Sequence, residues 1–474
     1  MQISENPDAE SGLKRALGPF HLTTLGIGAI IGAGIFVLTG HAAAEFAGPG
    51  VVISFAIAGV GCLFAGLCYS EYASMIPVAG SAYTYTYATL GRFLAWIIGW
   101  NLVLEYLATS ATVAVGWSGY FNNFLSSFGI SVPHALVAAP IASNAGHMVM
   151  TGSIVNLPAM LLVGFVTIFL VMGVKTSANF NNVMVAIKLA IVLAVIFVGF
   201  SHVSPANHTP FIPPNTGTFG EFGWTGVFRA TGVIFFAYIG FDAVSVAAQE
   251  AKNPQRDVPI GILGSLLLCT VLYMLMSYVL TGIAPYSTLG VAHPVSAALE
   301  ALPETAWLAP YVNIGAIVGL SSVVLVLLLG QTRIFYAMSR DGMIPPAFSE
   351  IHPRFATPWK GTVITGAACA MMAGLLPLSI LGELVSIGTL AAFVIVCAGV
   401  MVLRVRAPNA PRPFRTPLLW IVAPLGIAMC LFMMAFLPLD TWGRLAIWTV
   451  IGLGIYFLYS VKHAKPPRYV IAAE

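Results

Sequence analysis

The most restrictive feature of this chain is a recurring pattern. Twelve strongly apolar windows follow one another, separated by short polar segments, at about 22–40, 50–75, 93–118, 155–174, 182–200, 226–248, 259–283, 308–333, 360–377, 384–403, 418–437 and 443–461. A bilayer-spanning helix needs about 20 consecutive apolar residues. Runs this long cannot be the alternating strands of a membrane barrel. In lipid every backbone polar group must be satisfied within the protein, which leaves helices. Only 37 of the 474 residues are charged and 58% are hydrophobic. That is too few charges to cover a water-facing surface, given about 25% in soluble domains. The composition excludes a cytosolic enzyme, a nucleic-acid binder and a disordered chain. It predicts an all-α polytopic membrane protein with the bilayer as its main partner.

The placement of lysine and arginine predicts the orientation. With a cytoplasmic N-terminus, 17 of the 20 basic residues fall in inner segments: Lys14, Arg15, Arg92, Lys175, Lys252, Arg256, Arg333, Arg340, Arg354, Lys360, Arg404, Arg406, Arg412, Arg415, Lys462, Lys465 and Arg468. Arg229 and Arg444 lie near outer helix ends, where they could snorkel. The outer segments 121–154 and 201–225 contain no lysine or arginine. Losing one helix from the count would invert everything downstream, so the pattern predicts twelve spans with both termini inside. The first 20 residues lack the apolar core of a secretory signal, which leaves insertion to the first helix itself. The basic, proline-rich stretch 404–417 reads either as a boundary before a trailing helix pair or as an ordinary positive inner loop.

Two windows carry unusual backbone chemistry. The first reads Gly26-Ile27-Gly28-Ala29-Ile30-Ile31-Gly32-Ala33-Gly34-Ile35-Phe36. Each glycine destabilises helix by about 1 kcal/mol relative to alanine. The glycines could allow close packing, since Gly28 and Gly32 form a small-residue pair. They could also mark a break, which is tolerated at membrane depth only beside a cavity. The sixth window, from Gly232 through Phe236 and Gly240 to Asp242, places a glycine and then a carboxylate mid-helix. Interrupted helices at matching places in two five-helix halves point to a transporter binding site.

Ionisable groups inside a membrane are costly and functional by default. Lys188 sits mid-window in the fifth helix, Glu105 in the third and Asp242 in the sixth. A buried lysine readily releases its proton, so Lys188 could be a proton carrier or half of a static ion pair with Glu105 or Asp242. Glu71 and Glu383 lie nearer helix ends, where capping or snorkelling suffices. The six cysteines all sit in apolar runs without metal or redox spacing, and read as small buried hydrophobes. No P-loop, HExxH or G-x-S-x-G is present. No enzyme activity, metal or organic cofactor is therefore expected.

Taken together, the motifs resemble the amino acid–polyamine–organocation (APC) transporters, most closely the cationic amino acid transporter branch and its bacterial homologues. The resemblance rests on Gly26 to Phe36 and on Gly99-Trp100-Asn101-Leu102 with Glu105. It rests also on Ile239-Gly240-Phe241-Asp242 with Gln249-Glu250-Ala251-Lys252-Asn253-Pro254, on Gln331-Thr332-Arg333 with Ala337-Met338-Ser339-Arg340-Asp341-Gly342, and on Ser386-Ile387-Gly388-Thr389-Leu390. It implies a LeuT-type fold with a 5+5 inverted repeat. A ten-helix core would span 21–403, its repeats at about 21–200 and 226–403, flanked by an N-terminal segment 1–20. The loop 404–417, a helix pair within 418–461 and a tail 462–474 would follow. The resemblance also implies the site. A substrate carboxylate would take amides of Ala33, Gly34 and Ile35. The α-ammonium would take carbonyls of Ile30, Phe236, Ala237 and Ile239, with Phe236 as an outer cover. Lys188 would stand in for sodium and couple transport to protons, with Glu105 and Asp242 as nearby acidic groups. Ser321 and Ser322 match the wall of a sodium site, although no sodium is expected. Ala33 stands where the family often has Ser or Thr, so a hydroxyl contact is missing. The implied activity is secondary active amino acid transport, broad or neutral in preference, as proton symport or as exchange. A channel or receptor is the different-class alternative. The implied location is a plasma membrane of the bacterial inner-membrane type. A small membrane partner is compatible with the sequence but not readable from it.

Overall fold

The computed structural model describes residues 17–75, 81–89, 91–144, 147–173, 178–246, 248 and 251–466. Of the residues used above, Lys14, Arg15, Lys175, Arg468, Gln249 and Glu250 lie outside them.

Helix is found in every one of the twelve apolar windows. The main helices are α1 (Pro19–Ile30), α2 (Val51–Met75), α3 (Ser81–Thr89), α4 (Arg92–Ser126), α5 (Leu157–Val171), α6 (Ala178–Phe200), α7 (Gly223–Ile234), α8 (Ala243–Val246) and α9 (Pro254–Ile283). They continue with α10 (Pro294–Glu300), α11 (Pro303–Ala306), α12 (Ala309–Arg340), α13 (Trp359–Leu375), α14 (Leu378–Arg406), α15 (Leu419–Ala435) and α16 (Leu439–Ile455). Among the described residues, eight helical runs are long and apolar enough to cross a membrane; α5 and α15 are apolar but shorter. The helices begin where the sequence supplies start signals. Proline stands in the first or second position of α1, α5 and α9, where its missing N–H is harmless. The Asn156 side chain accepts the Ala159 amide at the start of α5.

The outer surface is apolar where a soluble protein would be charged. Phe197, Leu458, Leu161 and Leu267 are all exposed. Lipid is their natural solvent, and the protein is a multi-pass membrane protein. Inside, α4 runs through the centre and packs on α12 and α14, while α9 packs on α1 and α2. The last helix docks through tryptophans. Trp100 and Trp448 stack at 4.4 Å, and each donates its indole N–H to the other's backbone carbonyl.

Three local features were not anticipated from the pattern. The outer segment after α4 contains a small antiparallel hairpin, Ile141–Asn144 with His147–Met150. Glu71, expected to cap or snorkel, is instead 1% exposed and receives both Arg404 Nη2 bonds, at 2.7 and 2.8 Å. Arg412 Nε lies 3.3 Å from the same carboxylate, and the Thr416 amide donates to it at 2.8 Å. Arg412 also donates to the carbonyls of Leu403, Ala407, Pro408 and Ala410, capping the end of α14. The 404–417 stretch is thus clamped onto α2. The third feature concerns the two cations expected to snorkel. Arg444 pairs with Glu383 at 3.3 Å, and Arg229 lies over the Phe46 ring at 4.6 Å.

Candidate functional site

The first apolar window is broken. Helix α1 stops at Ile30, Ile31 turns to extended geometry, and helix resumes as a π turn at Gly34–Leu38. An α-helix ends with four carbonyls lacking intrahelical partners. Here each has a definite neighbour. Lys188 Nζ donates to Gly28 O at 2.8 Å and to Ile31 O at 3.2 Å. The Tyr273 hydroxyl lies 2.8 Å from Ile30 O. Ala29 O faces Gly240, 2.9 Å from where a Cβ would stand.

The sixth window is broken as well. After α7 a 3₁₀ turn covers Phe235–Tyr238, Ile239 is extended, and Gly240 takes φ +111°. A side chain is disfavoured at that φ. The chain re-enters helix at α8, just past Asp242. The two breaks touch. A Cβ on Gly34 would lie 2.3 Å from the Cα of Ala237. The break reading holds, at Ile31 and Gly32; close packing is found at Gly34 and not at the Gly28–Gly32 pair, since a Cβ on Gly32 would meet nothing nearer than Val323 at 3.6 Å.

Tyr273 of α9 joins the two interruptions directly. Its hydroxyl is 2.8 Å from Ile30 O and 2.9 Å from Ala237 O. These are two of the carbonyls assigned by resemblance to an α-ammonium. A tyrosine in an apolar helix carries no sequence signal for this role. The opposite pole is provided by amides. Phe36 N returns to Gly32 O at 3.4 Å, so the amides of Ala33, Gly34 and Ile35 lie in the first turn, where donors lack intrahelical acceptors. Unpaired amides at the start of one half-helix carry positive partial charge, and carbonyls at the end of the other carry negative partial charge. Phe236 and Ile239 are both buried.

The structure separates the ionisable residues into two groups. Lys188 is 1% exposed, and its stem lies against Gly319 of α12. Its ammonium is bound to carbonyls, not to Glu105 or Asp242. The C-terminal end of α1 carries negative partial charge, so a cation belongs there. Asp242 accepts the Tyr106 hydroxyl at 2.8 Å. Glu105, also 1% exposed, lies within electrostatic reach of Asp242 and beside Thr389. Glu105 Oε2 and Thr389 Oγ1 are both buried and, among the described residues, make no hydrogen bond of standard geometry, although they lie close enough to interact. Ser321 and Ser322 donate to their own helix, at Ile317 O and Gly319 O, 2.7 and 2.8 Å. Those are ordinary back-bonds of a serine within a helix. All six cysteines are buried and free.

A family profile described as amino acid permease matches residues 17–457. The chain is 49% identical over 457 residues to the branched-chain amino acid permease BcaP of Bacillus subtilis (strain 168), covering 96% of this chain and 95% of that one. It is 46% identical over 452 residues to the methylthioribose transporter of the same organism, with 95% of each chain covered. It is 39% identical over 402 residues to the vacuolar cationic amino acid transporter 4 of Arabidopsis thaliana, covering 85% of this chain and 65% of that protein.

Proposed function

The chain belongs to the amino acid permease family within the APC superfamily, and from that membership we propose that it carries L-amino acids across a membrane by symport with protons. The observation that carries this reading is the pair of touching helix breaks with Lys188 on the carbonyls of the first. Amides of Ala33, Gly34 and Ile35 face a substrate carboxylate. Carbonyls of Ile30, Phe236, Ala237 and Ile239 face its ammonium, in competition with the Tyr273 hydroxyl. A backbone site of this kind reads any α-amino acid, so selectivity lies with the side-chain wall. Lys188 occupies the cation position at the end of a half-helix. Protonated, it holds α1 through charge-assisted bonds; neutral, it holds it more weakly. That difference is the coupling. Asp242 and Glu105 serve as acidic groups near this path. The molecule works by alternating access, two inverted five-helix repeats moving against each other, in a plasma membrane with both termini cytoplasmic.

For substrate, neutral side chains are favoured, from alanine-sized to branched. Two relatives bear the name branched-chain amino acid permease, at 49% and 35% identity. Cationic amino acids are a further possibility through the cationic transporter relatives. The similarity to a methylthioribose transporter supports a second reading, in which the zwitterion is replaced by a small polar thioether. Uptake of labelled leucine, alanine, arginine and methylthioribose into proteoliposomes, with and without an inward proton gradient, separates the readings. Gradient-driven accumulation of leucine or alanine supports symport. Strong trans-stimulation without gradient dependence supports exchange, and non-saturating flux supports a channel.

A further inference from the structure

A cavity lies on the flank of the bundle, at the end where the basic residues gather. It is a groove of about 620 Å³ between α9 and the loop that follows α14. Its walls are largely apolar: Ile260, Leu263 and Leu267 on one side and Phe414 on the other, with Arg256 at its rim. Ile260 and Leu267 are exposed, so the groove opens to the bilayer. The loop wall is fixed from behind. The Phe414 amide donates to Ser74 Oγ at 3.3 Å, and the Thr416 amide to Glu71 at 2.8 Å. The groove is therefore a built feature and not a gap beside a loose loop.

Among the described residues, the exposed charges around it have one sign. Arg256, Lys252, Arg406 and Arg415 are exposed at this end. The described acidic groups nearest to it, Asp257 and Glu71, are already engaged. Asp257 is buried and accepts the Asn253 amide at 3.2 Å, and Glu71 is held by Arg404, Arg412 and Thr416. The fitting occupant is apolar along most of its length and anionic at one end. We propose that this groove binds an anionic phospholipid, with an acyl chain along Ile260, Leu263, Leu267 and Phe414 and the headgroup phosphate at Arg256. Guanidinium suits phosphate oxygens geometrically, and basic pockets beside membrane helices attract anionic headgroups.

The test is native mass spectrometry of the detergent-purified full chain, incubated with equimolar phosphatidylglycerol and phosphatidylcholine of the same acyl chains. Wild type is compared with Arg256→Gln/Arg415→Gln and, separately, with Leu267→Trp, which fills the groove from a lipid-exposed position. Wild type is expected to retain phosphatidylglycerol over phosphatidylcholine. The double variant should lose roughly fivefold of that preference for each arginine removed, and Leu267→Trp should lose phosphatidylglycerol retention as well. Equal retention of the two lipids by wild type overturns the proposal. So does an undiminished preference for phosphatidylglycerol in the double variant, or undiminished phosphatidylglycerol retention in Leu267→Trp. The readout needs no transport, so its failure is distinct from failure of the transport reading.

Discussion

Lys188 Nζ lies 2.8 Å from the carbonyl oxygen of Gly28, in the last turn of the half-helix that ends at Ile30. The buried cation is thus bonded to the backbone of an interrupted helix, with no carboxylate of the described residues as its partner. Any change in the charge of Lys188 acts directly on how firmly that half-helix is held.

Tyr273 bridges the two breaks through one hydroxyl. Tyr273→Phe removes it and leaves Ile30 O and Ala237 O buried without that donor. An unsatisfied buried acceptor costs about 1–3 kcal/mol. The variant should show a lower thermal midpoint in detergent, and transport in proteoliposomes should change with it. An unchanged midpoint would mean the hydroxyl contributes nothing to joining the helices.

Gly34 and Gly32 should respond differently to alanine. At Gly34 the new Cβ would overlap Ala237 at 2.3 Å, whereas at Gly32 the nearest heavy atom is Val323 at 3.6 Å. Overpacking of this kind costs about 1–3 kcal/mol. Gly34→Ala should lose at least tenfold in uptake rate at equal protein amount; Gly32→Ala should remain within a few-fold of wild type. Equal behaviour of the two variants would contradict the packing described for the breaks.

Glu71 is the hub of the 404–417 clamp. Glu71→Gln removes the charge that Arg404 and Arg412 face, and the Arg412 side chain is only 1% exposed. Removing one partner of a buried ion pair costs about 3–5 kcal/mol. The measurement is the unfolding midpoint, with Glu71→Asp as the conservative comparison. A loss below about 1 kcal/mol would place Glu71 with ordinary surface pairs.

Much of this architecture was legible in the sequence because the bilayer makes a simple demand. Twelve apolar windows announce themselves by length and composition, and helix is found in each. The glycine-rich first window was half legible, since glycine serves packing and breaking equally well. Only coordinates separate Gly34 from Gly32. Partnerships were the hidden part. Glu71 lies 333 residues from Arg404, and Tyr273 lies 243 from Ile30. Neither distance leaves a local pattern. Lys188 stood out as a buried cation, but its choice of carbonyls over Glu105 or Asp242 depends on where α1 stops.

His293 supplies a pH dependence outside the membrane. It precedes α10, and burial holds its pKa below the ordinary 6.5, outweighing the opposing charge of Glu300. Between the folded and unfolded values the unfolded chain binds more protons, so stability rises with pH there. The contribution is complete above about 6.5 and is lost as the pH falls below it. Thermal midpoints from pH 7.5 to 5.5 should fall more steeply for wild type than for His293→Gln. Parallel curves would contradict this.

The most direct test of the central claim compares wild type with Lys188→Ala in proteoliposomes. Labelled leucine or alanine is supplied outside, with and without an inward proton gradient, and binding is measured in parallel. Wild type should accumulate substrate only when the gradient is present. Lys188→Ala should still bind substrate but lose gradient-driven accumulation. Undiminished accumulation in Lys188→Ala would contradict the account.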